Sequence, residues 1–383
     1  MKKILWCLLS VLLLIPFNVR GEQLTLAENS KSTMLLEAST GEIIYQHNSH
    51  EKFAPASMTK MMTMLLIIEN IEKGVIKWDE MVTVSANASG MGGSQILLDT
   101  NEKMSVENLF KGIAVASGND ASVALAEKIA GTEANFVVMM NNRAKELGLK
   151  NTNFKNCHGL DAANHYSTAY DMAMIAKELV KHEKVLEYTK IYDTYLRENT
   201  ENKIWLVNTN KLVRFYEGVD GLKTGYTNGA GYCLTSTAKK NGMRIITVVM
   251  GEPDSLTRNK ETSEMLDYAF AQYEIETLLS TKSVLGKNMV EKGVKKYVEL
   301  VPVEDVNVLH KKIDKKKIAT YDLKIEKLKA PVKNGDVVGV LTIHDGSKTS
   351  RTINITVKEE VKKANFIQLY FRYLADIING DIK

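Results

Sequence analysis

Between Met61 and Ile68 the chain reads MMTMLLII, with Thr63 as the only polar residue. A helix turns about 100° per residue, so a helix over this run is apolar on nearly every side and has no face to offer water. Other elements must surround it. The residues before it sharpen the constraint, because FAPASMTK sets Ser57 three positions ahead of Lys60. Positions three apart lie on neighbouring sides of one helical face. Pro55 and Ser57, the latter at an N-cap-like site, both favour a helix start here. Burial of the run would desolvate Lys60 and lower its pKa. The neutral amine that results is a base able to take the proton of a serine hydroxyl, itself a weak nucleophile.

Ser-x-x-Lys occurs three times, at Ser49 to Lys52, Ser57 to Lys60 and Ser236 to Lys239. The first lies in the polar stretch HNSHEK, where nothing would desolvate the lysine. The third lies at the end of an expected strand, where residues three apart face opposite ways. Only Ser57 and Lys60 meet the chemical requirement. The methionines beside them are expected in the core rather than on a binding surface.

The N-terminus, MKKILWCLLSVLLLIPFNVRG, has Lys2 and Lys3, an apolar run from Ile4 to Phe17 and small residues at Val19 and Gly21. That is the pattern of a secretory signal peptide over residues 1–21, too short to cross a bilayer comfortably. Export is therefore expected. Without Lys2, Lys3 and Arg20, 47 basic residues face 46 acidic ones. This near-neutral balance argues against nucleic acid as a partner. Cys7 would leave with the signal, and Cys157 and Cys233 form neither a disulfide framework nor a zinc pattern. Two buried thiols are preferred over a single bridge. The seven histidines form no HExxH or other metal motif.

The chain is long enough for two domains. Thr33 to Gln46 reads as a hairpin around a Ser-Thr-Gly turn. Helical patterns follow over Met58–Ile71, Val106–Ala116, Ala121–Ile129, Ala134–Leu147 and Ala169–Val180. GVDGLKTG, GYCLTSTA and RIITVVMG, separated by short Gly- and Asn-bearing turns, predict an antiparallel meander, and a helix is expected from about Thr257 to Tyr273. Helices covering an antiparallel sheet place residues 22–275 in the α/β (α+β) class. Residues 276–361 alternate apolar and polar with many lysines, the pattern of a small all-β domain. In residues 362–383, Phe366, Tyr370, Tyr373, Leu374, Ile377 and Ile378 repeat at helical spacing opposite Gln368, Arg372, Asp376 and Asn379, with Lys362 and Lys363 ahead of them. Such a helix suits a membrane surface but is too short and polar to span it. Packing against its own protein is the alternative.

Two further stretches complete a constellation. ASGNDAS puts Ser117 and Asn119 between two helical segments, although Ser85 and Asn87 repeat the Ser-x-Asn spacing. GVDGLKTGYTNGAG puts Lys223, Thr224 and Gly225 on a strand before a glycine-rich turn. Gly225 would let a substrate backbone lie close, and the lysine and threonine suit a carboxylate.

The set Ser-x-x-Lys, Ser-x-Asn, Lys-Thr-Gly resembles that of the serine penicillin-recognising enzymes. APASMTK, ASGNDAS, HGLDAANHYSTAYDMA and GVDGLKTGYTNGAGYCL resemble the low-molecular-mass D-alanyl-D-alanine carboxypeptidases of the penicillin-binding protein 5 type. The resemblance implies a β-lactamase/transpeptidase-like catalytic domain, a β-rich C-terminal domain and a terminal amphipathic anchor on the outer face of the cytoplasmic membrane. It implies a substrate, the peptidoglycan stem pentapeptide, covalent inhibition by β-lactam antibiotics, and no cofactor. Residue by residue it makes Ser57 the nucleophile, Lys60 its base and Ser117 the proton relay. Asn119 would bond the substrate amide, Lys223 would add positive charge beside Ser117, and Thr224 would hold the terminal carboxylate. The backbone N–H groups of Ser57 and Tyr226 would form an oxyanion hole. Arg258 matches an arginine that steers the carboxylate, although its segment looks loop-like and Arg244 is a rival. Gly118, where β-lactamases carry aspartate, favours the carboxypeptidase branch. His158 and Asp161 raise a Ser-His-Asp alternative, against which a turn role is preferred. Glu146 is the nearest candidate for a β-lactamase's water-positioning glutamate. A β-lactamase, a transpeptidase or endopeptidase, and a non-enzymatic penicillin-binding sensor stay as alternatives.

Overall fold

The computed structural model describes residues 24–314, 320–344 and 351–378. The expected signal peptide lies outside them. The first hairpin is β1 (Ser32–Glu37) and β2 (Ile43–His47). Five helices of eleven or more residues follow, α1 (Lys60–Glu72), α2 (Val106–Ala116), α3 (Asn119–Ala130), α4 (Glu133–Glu146) and α5 (Ala169–Leu179), close to the segments their apolar spacing predicts. A short helix α6 (Glu183–Thr189) and a hairpin of β3 (Asp193–Leu196) with β4 (Ile204–Val207) come next, and both were missed by the sequence reading. The expected meander is β5 (Val219–Thr227), β6 (Gly231–Lys240) and β7 (Met243–Glu252), closed by α7 (Ser255–Gln272).

These strands form one antiparallel sheet in the order β2-β1-β7-β6-β5, so β5 is an edge strand. Both faces of the sheet are covered. Along β1, Met34 and Leu36 enter the large core shared with α1 to α5, whereas Leu35 enters a second core with Met265, Leu266 and Ala269 of α7. The period of two puts successive side chains into opposite layers. In the large core, Met61, Met62, Met64, Leu65 and Ile67 of α1 are fully buried. Each such side chain contributes roughly 1.5–3 kcal/mol by leaving water.

Directly after α7, β8 (Tyr273–Leu279) pairs antiparallel with β11 (Val306–Lys311), and it runs across residue 275 without a break. Between and beyond these lie β9 (Gly286–Glu291), β10 (Tyr297–Pro302), β12 (Thr320–Ile325), β13 (Leu328–Lys329), β14 (Gly339–His344) and β15 (Arg351–Val357). They make a sheet in the order β12-β14-β15-β10-β9-β13 with its own core of Val290, Leu300, Leu341, Ile355 and Val357. Leu309 of β11 packs into the α7 core instead, beside Ile275. The last element among the described residues is α8 (Phe366–Ile378). Its polar side is tied down by Arg372 donating to Gly293 O at 2.6 Å and by Lys296 pairing with Asp376 at 2.7 Å. Its apolar side chains stay exposed. No helix among the described residues is long and apolar enough to cross a membrane.

Candidate active site

Ser57 does not cap α1. It sits in a single 3-10 turn, Ala56–Thr59, and the α-helix begins at Lys60. This keeps the three-residue spacing on one side of a continuous helical path, which is what brings the two side chains together. Lys60 Nζ lies 3.1 Å from Ser57 Oγ, 2.6 Å from Asn119 Oδ1 and 2.6 Å from the His158 carbonyl oxygen. The residue is wholly buried, and burial pushes its pKa down from 10.5 to about 7 against opposing attraction from Cys157 and Asp120. A neutral amine has two hydrogens and one lone pair. Asn119 and His158 accept the two hydrogens, so the lone pair is left facing the serine.

The turn that carries Ser57 is clamped from both sides. Gly159 has a φ of +91°, and a Cβ there would stand 1.9 Å from the Ala56 carbonyl oxygen. Gly225 of β5 faces the other side, where a Cβ would meet Pro55 O at 3.0 Å and Ser57 N at 3.2 Å. The glycine of the Lys-Thr-Gly triplet thus makes room for the turn that carries Ser57. Gly225 also stands on the cleft wall, where the sequence reading expects a substrate backbone to lie close.

Ser117 is the C-cap of α2 in a left-handed conformation, φ 63° and ψ 31°. A non-glycine residue held there stores of order 1–2 kcal/mol. Its Oγ is buried with no hydrogen-bond partner among the described residues. Asn119 opens α3, and its Nδ2 donates to Gly92 O at 2.6 Å. Asp120, which the sequence reading passed over, is buried and accepts from the backbone N–H groups of Ile96 and Leu98, fixing the segment that carries Ser94.

Lys223 is buried on β5, with Nζ donating to Thr224 O at 3.0 Å. Burial, then Lys60, then Arg258 hold its pKa well below the usual range. Thr224 Oγ1 donates to Thr209 Oγ1 at 2.8 Å. Arg258 lies in the first turn of α7, which Asp254 caps by accepting from the Leu256 and Thr257 N–H groups. The loop-like reading of this segment is therefore corrected. Its guanidinium is bonded only to Asn259 Oδ1 among the described residues. Arg244 is committed to Asp220 at 2.8 Å on another side of the molecule. Ser57, Ser117, Thr224, Gly225, Tyr226 and Arg258 line one cleft of about 560 Å³, with Ser94, Thr209 and Tyr232. Tyr226 is exposed and its ring sits against Tyr232, centroids 4.3 Å apart.

The rival arrangements are not assembled. Asp161 accepts from Thr227 Oγ1 at 2.8 Å, while the buried His158 ring lies 3.4 Å from Glu133 and is held down to about 3 by burial and by Lys60. Ser85 and Asn87 are both bonded to Glu127. Ser236 and Lys239 lie on β6, the serine buried and the lysine exposed. Glu146 ends α4, exposed and 3.4 Å from Arg143. Cys157 and Cys233 are buried free thiols.

Residues 20–254 match the profile of the D-alanyl-D-alanine carboxypeptidase peptidases. The chain belongs to the D-alanyl-D-alanine carboxypeptidase family. Residues 273–363 match the C-terminal domain of penicillin-binding protein 5. D-alanyl-D-alanine carboxypeptidase DacF of Bacillus subtilis is 49% identical over 352 residues, covering 92% of this chain and 90% of that protein. Penicillin-binding protein 5 from Haemophilus influenzae is similar in structure, with a TM-score of 0.71 and 33% identity, covering 89% of this chain and 99% of that one. Penicillin-Binding Protein D2 from Listeria monocytogenes in its cefotaxime-bound form has a TM-score of 0.58 and 30% identity, covering 65% of this chain and 99% of that one. The protein is thus a serine-type D-alanyl-D-alanine carboxypeptidase acting on peptidoglycan. For this carboxypeptidase, the sequence motifs pointed to the side chains of the cleft. They left out the His158 carbonyl, Asp120 and Thr209, which are reached only through tertiary contacts.

Proposed function

We propose that Ser57 is the acylated nucleophile and Lys60 its base, and that the chain removes the terminal D-alanine of the peptidoglycan stem pentapeptide. The observation that carries this reading is the buried Lys60 Nζ 3.1 Å from Ser57 Oγ, with Asn119 Oδ1 and the His158 carbonyl oxygen each 2.6 Å away to accept the hydrogens of a neutral amine. Neutral Lys60 takes the hydroxyl proton as Ser57 Oγ bonds to the carbonyl carbon of the penultimate D-alanine. The oxygen of the tetrahedral adduct is held by the N–H groups of Ser57 and Tyr226, a device worth roughly 3–4 kcal/mol per donor. Collapse breaks the C–N bond. The proton passes from Lys60 through the unpartnered Ser117 hydroxyl to the leaving nitrogen, and D-alanine departs with it. Water then adds to the ester, giving a proton to Lys60, and the shortened peptide leaves as Ser57 recovers its hydrogen.

Around this centre Asn119 orients Lys60 through Oδ1, and the second hydrogen of its Nδ2 is available to the substrate amide. The terminal carboxylate meets Thr224, Thr209 and Arg258 on the cleft wall. Its arrival beside Lys223 favours the ammonium form that burial disfavours. Acylation by β-lactams is supported by the cefotaxime-bound Listeria relative. Export is supported by the N-terminal segment, and seating on the outer membrane surface by the exposed aromatic face of α8.

The test is to incubate the soluble chain with a labelled penicillin, digest it, and locate the label by mass, with Ser57→Ala in parallel. The adduct is expected on the peptide that contains Ser57 and is expected to vanish in the variant. A stable adduct on any other serine would overturn the assignment.

A further inference from the structure

The β3–β4 hairpin, which no motif covers, has one buried and one exposed face. Leu196 and Leu206 point into the large core. On the other face the register sets Tyr195 opposite Trp205 and Asp193 opposite Val207. Tyr195 is 41% and Trp205 57% exposed. Binary patterning would put polar side chains here, so an aromatic pair facing water is what needs explaining.

The hairpin is held firmly. Arg197 at its turn pairs with Glu102 at 2.7 Å and donates to the carbonyl oxygens of Ile96 and Leu97 at 3.1 and 2.9 Å. At its base Asn208 Nδ2 donates to Thr189 O and Ile191 O at 2.9 and 2.8 Å. The indole N–H donates to Asp193 Oδ2 at 2.9 Å, and Lys203 Nζ lies 4.0 Å from the Tyr195 ring centre. Two residues beyond Trp205, on the same face, Val207 begins the wall of the catalytic cleft, and Asn208 and Thr209 continue it. The exposed rings therefore lie two residues along the strand from the cleft wall, on the face that leads into it.

Size and chemistry decide the occupant. Two rings of roughly 200 Å² each, about half exposed, fall far short of the ~1,000 Å² of a stable protein interface. A membrane needs a broad apolar face, and this one carries charge, with Asp193 at the Trp205 indole edge and the Lys203 amine over the Tyr195 ring. A sugar ring fits, since it offers an apolar C–H face to the Trp205 plane and hydroxyl or amide groups to Asp193 at its edge and to the Lys203 amine over Tyr195. We propose that Tyr195 and Trp205 form a stacking platform for an amino-sugar ring of the peptidoglycan glycan strand, which carries the stem peptide into the cleft. This rests on the catalytic reading given above.

The experiment compares D-alanine release from a free stem pentapeptide with release from the same pentapeptide on its glycan strand, using wild type, Trp205→Ala, Tyr195→Ala and Trp205→Phe. Loss of one stacking ring is expected to raise KM for the glycan-borne substrate about 5- to 10-fold with kcat unchanged. Both constants for the free peptide should stay as in wild type, and Trp205→Phe should recover most of the loss. Equal KM changes on both substrates would mean that the rings only brace the hairpin, and no change on either would mean that nothing stacks there. Each outcome overturns the platform. Failure of the wild type to release D-alanine from the free peptide would instead overturn the catalytic reading. Peptide-free glycan strands should also bind Ser57→Ala, and binding should weaken by a similar factor on adding Trp205→Ala.

Discussion

In the proposed mechanism Lys60 and the residues that touch it carry the chemistry, and the burial of its amine also exposes the chain to a stability penalty. Its amine holds a proton up to about pH 10 when unfolded but only to about 7 when folded. Between those values the unfolded state binds more protons, so this group makes stability rise with pH across the window and contributes no slope below it. Lys60→Met should flatten that part of the pH–stability curve while abolishing acylation, and urea denaturation at several pH values would show it. Gly159→Ala is expected to act through the backbone of the Ser57 turn, with every side chain of the cleft left unsubstituted. A methyl there must displace Ala56 O, and with it the Ser57 turn. Acylation should fall by about 10²-fold, because misplacement of ~1 Å has that effect, and unfolding should begin several degrees lower. A labelled-penicillin time course and a thermal melt would check both. At this scale the sequence was informative where chemistry is local. Three Ser-x-x-Lys copies could be told apart because only one precedes an apolar helix. The His158 carbonyl could not be read, because it comes from a turn about a hundred residues away whose conformation Asn156 sets by accepting from the Gly159 N–H at 2.6 Å.

At the scale of elements, helices α1 to α5 were legible because each buries one stripe or, for α1, every side, whereas α6, only seven residues long, was not. The β3–β4 hairpin was not legible. Its exposed face is aromatic, so the strands lack the polar-out alternation that marks a half-buried strand. The start of α7 was blurred because its first turn carries polar side chains, and the Asp254 cap shows only in the geometry. Asp120 makes a prediction of its own. Its carboxylate accepts from Ile96, Leu98 and Ala121 N–H groups, so Asp120→Ala leaves buried donors unpaired. We expect a loss of about 2–4 kcal/mol in chemical denaturation, together with faster amide exchange at Ile96 and Leu98. Unchanged exchange there would refute the anchoring role.

Over the whole molecule, the division into a catalytic and a β-rich part was visible as a change from helical stripes to alternation near residue 276. How the parts join was not visible, because the joint is made by few residues. Leu309 and Ile275 enter the α7 core, and Arg351 reaches the carbonyl oxygens of Ser39 and Asn307. The far end presents α8 with Phe366, Ile367, Tyr370, Phe371, Ile377 and Ile378 exposed while Arg372 and Asp376 hold it to the β domain. Removing residues 365–383 should abolish sedimentation with anionic lipid vesicles and leave turnover of free pentapeptide unchanged. Retained vesicle binding would place the membrane contact elsewhere.

The most direct test of the account is a titration of the Lys60 side chain by ¹⁵N NMR, run beside the pH dependence of penicillin acylation. Both curves are expected to turn near pH 7, with acylation rising as the amine loses its proton. A Lys60 ammonium that stays protonated well into the alkaline range while acylation proceeds at full rate would contradict it.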